Sequence, residues 1–267
     1  MSRMSHSPDN PGQRITLKNV TLCAVSSSNV EATIRAMEAC LAQAEFAEAL
    51  LFTHLDTSGT VPDVPEDIRI VPIDQLRSSE AYSQFILSRL VDHIRTEHCL
   101  IVQWDGHIAD ASQWDDAFLD YDYIGASWPQ FDDGHEVGNG GFSLRSRRLL
   151  EACRADGFKA HHPEDIAIGR TNRDFLEAQG MTFAPVELAN RFAAERAGDP
   201  DAAFGYHGVF LMPHVLGGER FWSIFRNLDD RATLRPDFKT ILRAVAGGKG
   251  GIRRAISLAA RRVLGLL

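Results

Sequence analysis

The chain has 267 residues, of which 44% are hydrophobic and 24% charged, a composition typical of an ordinary globular protein. Its formal net charge of −8 argues against a general nucleic-acid binder, because neutralising phosphates takes a basic surface. The four cysteines are widely separated and form no C-x-x-C pair, which indicates reduced core thiols rather than a disulfide framework.

The first sixteen residues are polar and rich in turn-forming residues. They contain no apolar segment of signal-peptide length, so we expect residues 1–16 to be a disordered leader and the protein to be cytoplasmic. We expect a single-domain body at residues 17–215 and a C-terminal helical extension at residues 216–267.

Strand-like and helix-like segments alternate through the first half of the chain. The apolar runs that predict strands lie at 20–25, 49–54, 68–73 and 99–104. Helical spacing predicts one helix that begins near Asn29, where Ser28 and Glu31 match a capping box, and another over 79–95. This alternation predicts an α/β fold, a mostly parallel sheet with helices on both faces.

The second half is rich in loops that combine aromatic residues, acids and glycines. Loops of this length in a compact domain often build binding pockets on a rigid scaffold. Within this half we expect a helix from about Ser146, a strand at 181–188 and a short apolar segment at 204–210.

Asp105 follows the fourth predicted strand, and a carboxylate beside a buried run costs free energy unless it has a partner. Ligands of open parallel sheets collect at the carboxyl ends of the strands, where the turn Ser26–Asn29 is also expected. Gly106 leaves room for a close approach to this carboxylate. The residue therefore suits a metal ion or a sugar hydroxyl, or else it caps a turn.

Three further motifs carry chemically useful side chains, and each has a structural alternative. Glu164 and Asp165 stand in the first turn of a predicted helix, where acids also occur for dipole reasons alone. His207 lies between aromatic residues and glycines, as a metal ligand or as a core histidine. Gly140 and Gly141 form either an unobstructed backbone beside a ligand or a hairpin turn.

The C-terminal segment has a charge pattern of its own. Residues 235–267 contain eight lysines or arginines against one aspartate. The GGKGG stretch lacks the spacing of a phosphate-binding loop and is interpreted as a flexible joint. In residues 252–267 an apolar helical stripe runs beside four arginines and comprises Ile252, Ile256, Ala259, Val263 and Leu267. This pattern favours a helix at a membrane surface, or one that packs on the body or pairs with another chain.

Five segments taken in order resemble a known family. They read YSQFILSRLVDHIRTEHCLIVQWDGHI, FLDYDYIGASW, VGNGGFSLRSRRLL, PEDIAIGR and FGYHGVF. Together they resemble a family of bacterial domains assigned to the GT-A type of glycosyltransferase, over roughly residues 20–210. The resemblance implies a Rossmann-like sheet and transfer of a sugar from a nucleotide-sugar donor.

The resemblance also implies how the donor is held. In the family a D-x-D element binds a divalent metal and the sugar diphosphate, whereas here it reads Gln103-Trp104-Asp105, so that only Asp105 keeps the charge. Asp105 and His207 would hold Mn²⁺ or Mg²⁺. The implied donor-binding residues are Ser26, Ser27, Gln103, Trp104, Asp105, Gly140 and Gly141. Trp104 or Trp128 would stack on the base or the sugar.

The expected reaction is transfer to a hydroxyl of a glycan or a lipid-linked acceptor. By the resemblance, Asp165 is the general base and Glu164 orients the sugar, and a single base favours inversion at the anomeric carbon. Peripheral contact with the inner membrane is expected through residues 252–267. The alternatives are an inactive nucleotide-sugar binding domain and a membrane-surface adaptor that uses the C-terminal helix.

Overall fold

A computed structural model describes residues 14–54 and 64–267. Most of the expected leader lies outside the described residues, and its last two residues, Ile15 and Thr16, belong to the first strand. The described strands are β1 (Ile15–Val25), β2 (Ala44–Thr53), β3 (Arg69–Pro72), β4 (His98–Val102), β5 (Gly106–Ile108), β6 (Tyr123–Gly125), β7 (Phe142–Ser146), β8 (Ala193–Ala194) and β9 (Gly205–His207). The described α-helices are α1 (Val30–Gln43), α2 (Ser79–Ser88), α3 (Arg147–Ala152), α4 (Glu164–Ile166), α5 (Arg173–Ala178), α6 (Val186–Phe192), α7 (Met212–Val215), α8 (Gly218–Arg226), α9 (Phe238–Val245) and α10 (Gly251–Val263).

The main sheet has six strands in the order β3-β2-β1-β4-β7-β6. The first four are mutually parallel, β7 is antiparallel to β4, and β6 is antiparallel to β7. Five of the six strands therefore point the same way, which confirms the prediction of a mostly parallel sheet.

Helices cover both faces of this sheet. Alternate residues of β1 point to opposite faces, so that Leu22 packs in one hydrophobic cluster and Cys23 in another. The first cluster includes Met37 of α1 and Phe192 of α6, and the second includes Ile86 of α2. The predicted α/β arrangement with two helical layers is confirmed.

A second, three-stranded sheet has the order β5-β9-β8 and follows directly from the end of β4. In the antiparallel pair β5–β9, Gly106 lies opposite His207, and the amide N–H of Gly208 donates to the carbonyl of Asp105 at 3.0 Å. This small sheet fixes β9, which ends at His207, beside the carboxyl end of β4.

Three local predictions are wrong. Residues 181–188 do not form a strand, because Pro185 has no N–H for a ladder and instead precedes the first turn of α6. The helix expected over 79–95 ends at Ser88 and is followed by a separate 3₁₀ turn over Leu90–His93.

The capping box at the start of α1 is also not formed. Asn29, with φ of 54°, is the N-cap, and no side chain caps the helix. Its backbone N–H donates to Asp229 Oδ2 and its side-chain amide donates to the carbonyl of Asp230, each at 3.1 Å. Glu31 pairs with Arg35 instead of reaching back. The start of α1 is therefore held by a distant segment of the chain.

The C-terminal helices pack on the body through one hydrophobic cluster. Tyr206, Val209 and Met212 belong to it together with Leu258 of α10 and the last residue, Leu267. Residues on both sides of the expected boundary at residue 216 thus contribute to the same core. Within the described residues, no helix has both the length and the apolar character that a bilayer crossing requires.

Candidate functional site

The sheet topology brings three separate parts of the chain to one place. Val102, the last residue of β4, pairs with Phe142, the first residue of β7, so the residues after β4 lie beside those before β7. The pairing of Gly106 with His207 then adds the end of β9. Asp105, Gly141 and His207, which the sequence singled out separately, converge at the carboxyl end of the parallel strands.

His207 lies between two carboxylates. Its Nε2 is 3.5 Å from Asp105 Oδ1, and its Nδ1 is 3.2 Å from Glu195 Oε2. The side chains of Asp105, Glu195 and His207 expose only 12%, 11% and 17% of their surface. The Oδ1 of Asp105, the Oε2 of Glu195 and the Nδ1 of His207 are buried without a well-formed hydrogen bond. Groups left this way need a further partner.

The two carboxylates determine the charge of the imidazole. Burial acts to lower the pKa of His207, but the negative charges of Glu195 and Asp105 outweigh it and hold the pKa well above its usual value. A raised pKa favours the imidazolium form, which carries a proton on each ring nitrogen. A cation bound at Nε2 would take the place of one of these protons.

Gln103 connects the histidine to the helix layer. Its Oε1 accepts from His207 Nε2 at 3.2 Å, and its Nε2 donates to the hydroxyl of Tyr82 on α2 at 3.0 Å. The side-chain amide oxygen of Gln103 is thus directed at the same ring nitrogen as Asp105 Oδ1.

These donors fit a divalent cation. Oδ1 of Asp105, Oε1 of Gln103 and Nε2 of His207 form an oxygen-rich set with one nitrogen, as Mn²⁺ and Mg²⁺ prefer. Glu195 lies 3.2 Å from Nδ1, the position where metal-bound histidines usually have an outer carboxylate. A group of three histidine or acid ligands within 4.8 Å occurs among the described residues only at His135, Asp174 and Glu177, where two of the three are exposed. Among the described residues no such group includes Asp105, so a cation there would also need the amide oxygen of Gln103.

Glu164 is a buried partner of Arg145. The guanidinium Nη2 of Arg145, which is fully buried, donates to Glu164 Oε1 at 3.0 Å, and Ser83 Oγ lies 3.3 Å from Oε2. The same Nη2 lies 3.4 Å from the carbonyl oxygen of Gly140, and the guanidinium carbon is 5.1 Å from the ring centroid of Tyr123. Both oxygens of Glu164 are thus engaged by the protein.

Asp165 differs from its neighbour although both lie in the first turn of α4. It is partly exposed, and among the described residues its carboxylate accepts one hydrogen bond, from the backbone N–H of Ile166 to Oδ1 at 2.7 Å. Burial and the negative charge of Glu164 raise the pKa of Asp165 to about 6. This carboxyl group therefore exchanges a proton close to neutral pH, as a general base requires.

The two glycines before β7 lie directly against the side chains of this site. A Cβ on Gly140 would lie 2.6 Å from Glu164 Oε1, and one on Gly141 would lie 2.0 Å from His207 Nε2. A Cβ on Gly106 would lie 2.7 Å from the carbonyl oxygen of Tyr206. The space that the sequence suggested for a ligand at these glycines is occupied by atoms of the protein itself.

The other residues predicted to bind the nucleotide-sugar donor are engaged as follows. The hydroxyl of Ser27 accepts from the backbone N–H of Leu76 at 2.9 Å, and the hydroxyl of Ser26 donates to the carbonyl of Ser28. Trp104 is half-buried against the C-terminal cluster. Trp128 is 5% exposed and packs against Gly138 and Gly169, so it is a core residue and not a stacking surface for a ligand.

Sequence reasoning missed Glu195, Arg145 and Tyr82. Arg145 had a signal, since a charged residue inside a strand that pairs on both sides must be buried with a partner. Glu195 had no such signal, because it follows the two-residue strand β8 and comes to face His207 only when the chain folds.

A cavity of about 470 Å³ lies at the opposite, amino end of β4 and is lined by residues such as Arg95, His98 and Arg148. Its lining does not include Asp105, Asp165, Glu195 or His207.

Comparison with solved structures finds similarities at low sequence identity. A galactosyltransferase LgtC in complex with donor and acceptor sugar analogs is 16% identical, with a TM-score of 0.45 over 81% of this chain and 99% of that chain. A mannosyltransferase PcManGT from Pyrobaculum calidifontis, in complex with GDP-Man and Mn²⁺, is 13% identical, with a TM-score of 0.44 over 98% of this chain and 83% of that one. Comparison with curated proteins gives no match.

A family model matches residues 67–207, a region that runs from just before β3 to the end of β9. It includes Gln103, Asp105, Asp165, Glu195 and His207. Because this match covers more than half of the 267 residues, the chain belongs to the family described as Protein of unknown function (DUF5672).

Proposed function

We propose that the protein is a glycosyltransferase that moves a sugar from a nucleotide-sugar donor to a hydroxyl of a glycan or lipid-linked acceptor. The observation that carries the proposal is the cluster at the carboxyl edge of the sheet. It joins a buried acid–histidine–acid array, Asp105, His207 and Glu195, to a separate carboxyl group, Asp165, with a raised pKa. A site for a diphosphate and a base for the acceptor are the two parts that such a reaction needs.

In this proposal Asp105, Gln103 and His207 hold a divalent cation, Mn²⁺ or Mg²⁺, together with the donor diphosphate. When bound, the cation neutralises the negative charge that develops on the leaving nucleoside diphosphate. The carboxylate of Glu195, 3.2 Å from Nδ1 of His207, favours a proton on that nitrogen and so would keep Nε2 directed at the cation. The buried, unpartnered Oδ1 of Asp105 supports this assignment.

Asp165 takes the proton of the acceptor hydroxyl as that oxygen attacks the anomeric carbon. Its partial exposure and single hydrogen bond leave one carboxylate oxygen free for this purpose. One base and one displacement give inversion, so a product that retains the donor stereochemistry would contradict this role. Glu164, which the sequence suggested as a sugar ligand, is assigned as a positioning residue that acts through Arg145.

The first experiment compares Asp165→Asn with the wild-type enzyme. Candidate donors come from a thermal-shift screen of UDP-, GDP-, CMP- and dTDP-sugars with and without Mn²⁺. We expect the variant to lose at least about 10²-fold in kcat, the typical contribution of a general base, while its donor Kd stays unchanged. Turnover that survives the substitution would exclude Asp165 as the base, and donor binding without turnover in the wild type would favour an inactive binding domain.

The pH dependence of the wild-type enzyme is a second test. Because the pKa of Asp165 is raised to about 6 and the base must be deprotonated, kcat/KM should fall about tenfold per pH unit below pH 6. The variant Asp165→Asn should show no such acid limb in its residual rate. A wild-type profile that stays flat down to pH 5 would contradict the assignment.

The third experiment tests Glu195 by metal binding rather than by activity. We expect Glu195→Gln to weaken Mn²⁺ binding by about 10- to 100-fold in calorimetric titration, as the loss of an outer-shell carboxylate does elsewhere. Glu187→Gln removes an exposed carboxylate from neighbouring α6 and serves as the matched control. Equal affinities for the two variants would show that Glu195 does not support a metal ligand.

A further inference from the structure

The exposed large hydrophobic residues of the described chain all lie in its last sixteen positions. They are Ile252, Ile256, Val263, Leu264 and Leu266, with exposed fractions of 74%, 65%, 86%, 69% and 55%. Elsewhere the large apolar side chains of the described residues are at least partly buried. Isolated exposed apolar residues are ordinary on protein surfaces, but a concentration in one segment marks an interaction surface.

This surface is not the face by which α10 packs on the protein. Leu258 is fully buried, and Arg254 is 9% exposed and donates to the carbonyl oxygens of Val245 and Gly247 at 3.3 and 3.0 Å. The C-terminus is fixed as well, since Arg235 Nε donates to the carbonyl of Leu267 at 2.5 Å. The helix is thus anchored through one side while its other side presents apolar residues to solvent.

The helical geometry separates the two sides clearly. At about 100° per residue, Ile252, Ile256 and Val263 fall within about 40° of one another. The buried Leu258 lies on the opposite side of the helix. We call the three residues the outer stripe. On a helical projection the exposed Arg253 and Arg262 lie on either side of the outer stripe, at about 80–100° from its first residue.

We propose that the outer stripe docks on an anionic lipid surface, with Arg253 and Arg262 at the level of the headgroups. An apolar stripe between two basic edges is the arrangement of a helix that lies in a membrane interface. Each basic residue near an anionic bilayer also adds electrostatic attraction. The partner is a bilayer surface that contains anionic phospholipid.

Charge distinguishes this partner from a second copy of the chain. No acidic residue follows Asp237 in the sequence, so α10 itself offers no counter-charge to the arginines of an α10 on another copy. Two outer stripes packed together would bring the basic edges close to one another, which costs free energy. An anionic surface satisfies both the apolar stripe and its basic edges.

Vesicle flotation with the full-length protein tests the proposal. The vesicles are pure phosphatidylcholine, or phosphatidylcholine with phosphatidylglycerol, at low and raised NaCl concentration. We expect binding to the anionic vesicles, weakened by salt, and little binding to the neutral ones. The triple variant Ile252→Ser, Ile256→Ser, Val263→Ser should reduce the partition coefficient more than tenfold.

A charge variant and its control complete the test. Arg253→Gln with Arg262→Gln should weaken binding by about fivefold per arginine, whereas Lys159→Gln with Arg226→Gln removes the same charge from exposed positions elsewhere and should have little effect. Because both arginines are exposed and the buried Leu258 is left in place, the charge variant decides the test even if the triple variant fails to fold. Equal binding to neutral vesicles, no binding to either kind, or a dimer that only the triple variant dissociates would overturn the proposal.

Docking of the outer stripe on a membrane is independent of the proposed sugar transfer. Flotation is measured without donor, acceptor or metal, so its failure leaves the assignment of Asp105, Asp165 and His207 unaffected. A protein that floats but transfers no sugar would in turn keep the docking surface and lose the proposed activity.

Discussion

At the residue scale, two neighbouring acids in α4 have opposite effects on stability. Glu164 is buried against the guanidinium of Arg145, so its charge is compensated. Asp165 lacks an ion-pair partner among the described residues, and burial together with the charge of Glu164 raises its pKa to about 6. A raised carboxyl pKa means that the folded protein binds a proton more readily than the unfolded chain does. The ionised Asp165 therefore destabilises the fold at neutral pH.

We predict that Asp165→Asn stabilises the protein and that Glu164→Gln destabilises it. Above pH 6 the asparagine should raise the free energy of unfolding by about 1–2 kcal/mol, after allowance for partial contact with solvent. The gain should shrink as the pH falls through 6 and vanish near pH 4, where the carboxyl is protonated in both states. Glu164→Gln should cost about 3 kcal/mol, because it leaves Arg145 buried without a counter-charge.

Urea denaturation at pH 8 and at pH 4.5 measures both effects. Asp174→Asn, at an exposed acid of α5, controls for the loss of one negative charge elsewhere on the molecule. A gain for Asp165→Asn that is equal at both pH values would show that its origin is not the ionised carboxylate.

Two residues of this site, Asp105 and His207, could be singled out from the sequence because each stands in a recognisable local pattern. Asp105 was identified by its place after a buried run, and His207 by a motif that resembles a known family. The resemblance implied a metal shared by Asp105 and His207, and in the structure Asp105 Oδ1 lies 3.5 Å from Nε2 of His207. Glu195 could not be predicted, since its contact with His207 depends on how β8 and β9 pair across an intervening loop.

At the element scale, the residue just before β7 determines how closely the main sheet approaches β9, the strand that ends at His207. Gly141 lies where a Cβ would be 2.0 Å from Nε2, 2.2 Å from Cε1 and 2.3 Å from Cδ2 of His207. These nearly equal distances place the Cβ over the face of the ring. The glycine is therefore required by the packing of the imidazole, whether or not a donor lies nearby.

We predict that Gly141→Ala displaces His207 and lowers stability by about 1–3 kcal/mol, the usual cost of overpacking. Its Mn²⁺ affinity should fall with the displacement of Nε2. Gly247→Ala is the control, because a Cβ there would meet its nearest atom at an ordinary 3.7 Å. Thermal unfolding and metal titration of both variants measure the difference, and equal melting temperatures would contradict the close packing at Gly141.

The elements that sequence reasoning predicted well are those whose pattern is local. The predicted apolar runs of β1, β2 and β4 are continuous because both faces of these strands are buried there, although β1 and β2 begin about five residues earlier than expected. The edge strand β3 buries only Val71. The strand predicted at residues 181–188 is absent, since Phe183 forms only an isolated bridge with Tyr123 and α6 begins directly after Pro185. Such short irregular contacts depend on the neighbouring strand and not on the segment's own pattern.

At the scale of the whole molecule, the C-terminal helices complete a core that reaches the site. Leu258 and Leu267 are buried in the same hydrophobic cluster as Tyr206 and Val209, the residues on either side of the His207–Gly208 pair. The basic composition of this segment suggested an appended helix. Which of its apolar residues face inward could not be predicted, because two opposite sides of α10 carry leucine, isoleucine or valine.

Removal of residues 251–267 should therefore do more than abolish a docking surface. Burial of one leucine side chain contributes about 1.5–3 kcal/mol, so losing Leu258 and Leu267 should lower the free energy of unfolding by about 3–6 kcal/mol. Because Tyr206 shares their cluster, we expect the truncated protein to lose turnover even on a water-soluble acceptor. The serine variants of Ile252, Ile256 and Val263 change only exposed side chains and should keep both the melting temperature and that turnover. A truncated protein as stable and active as the full chain would show that α10 only docks and does not support the site.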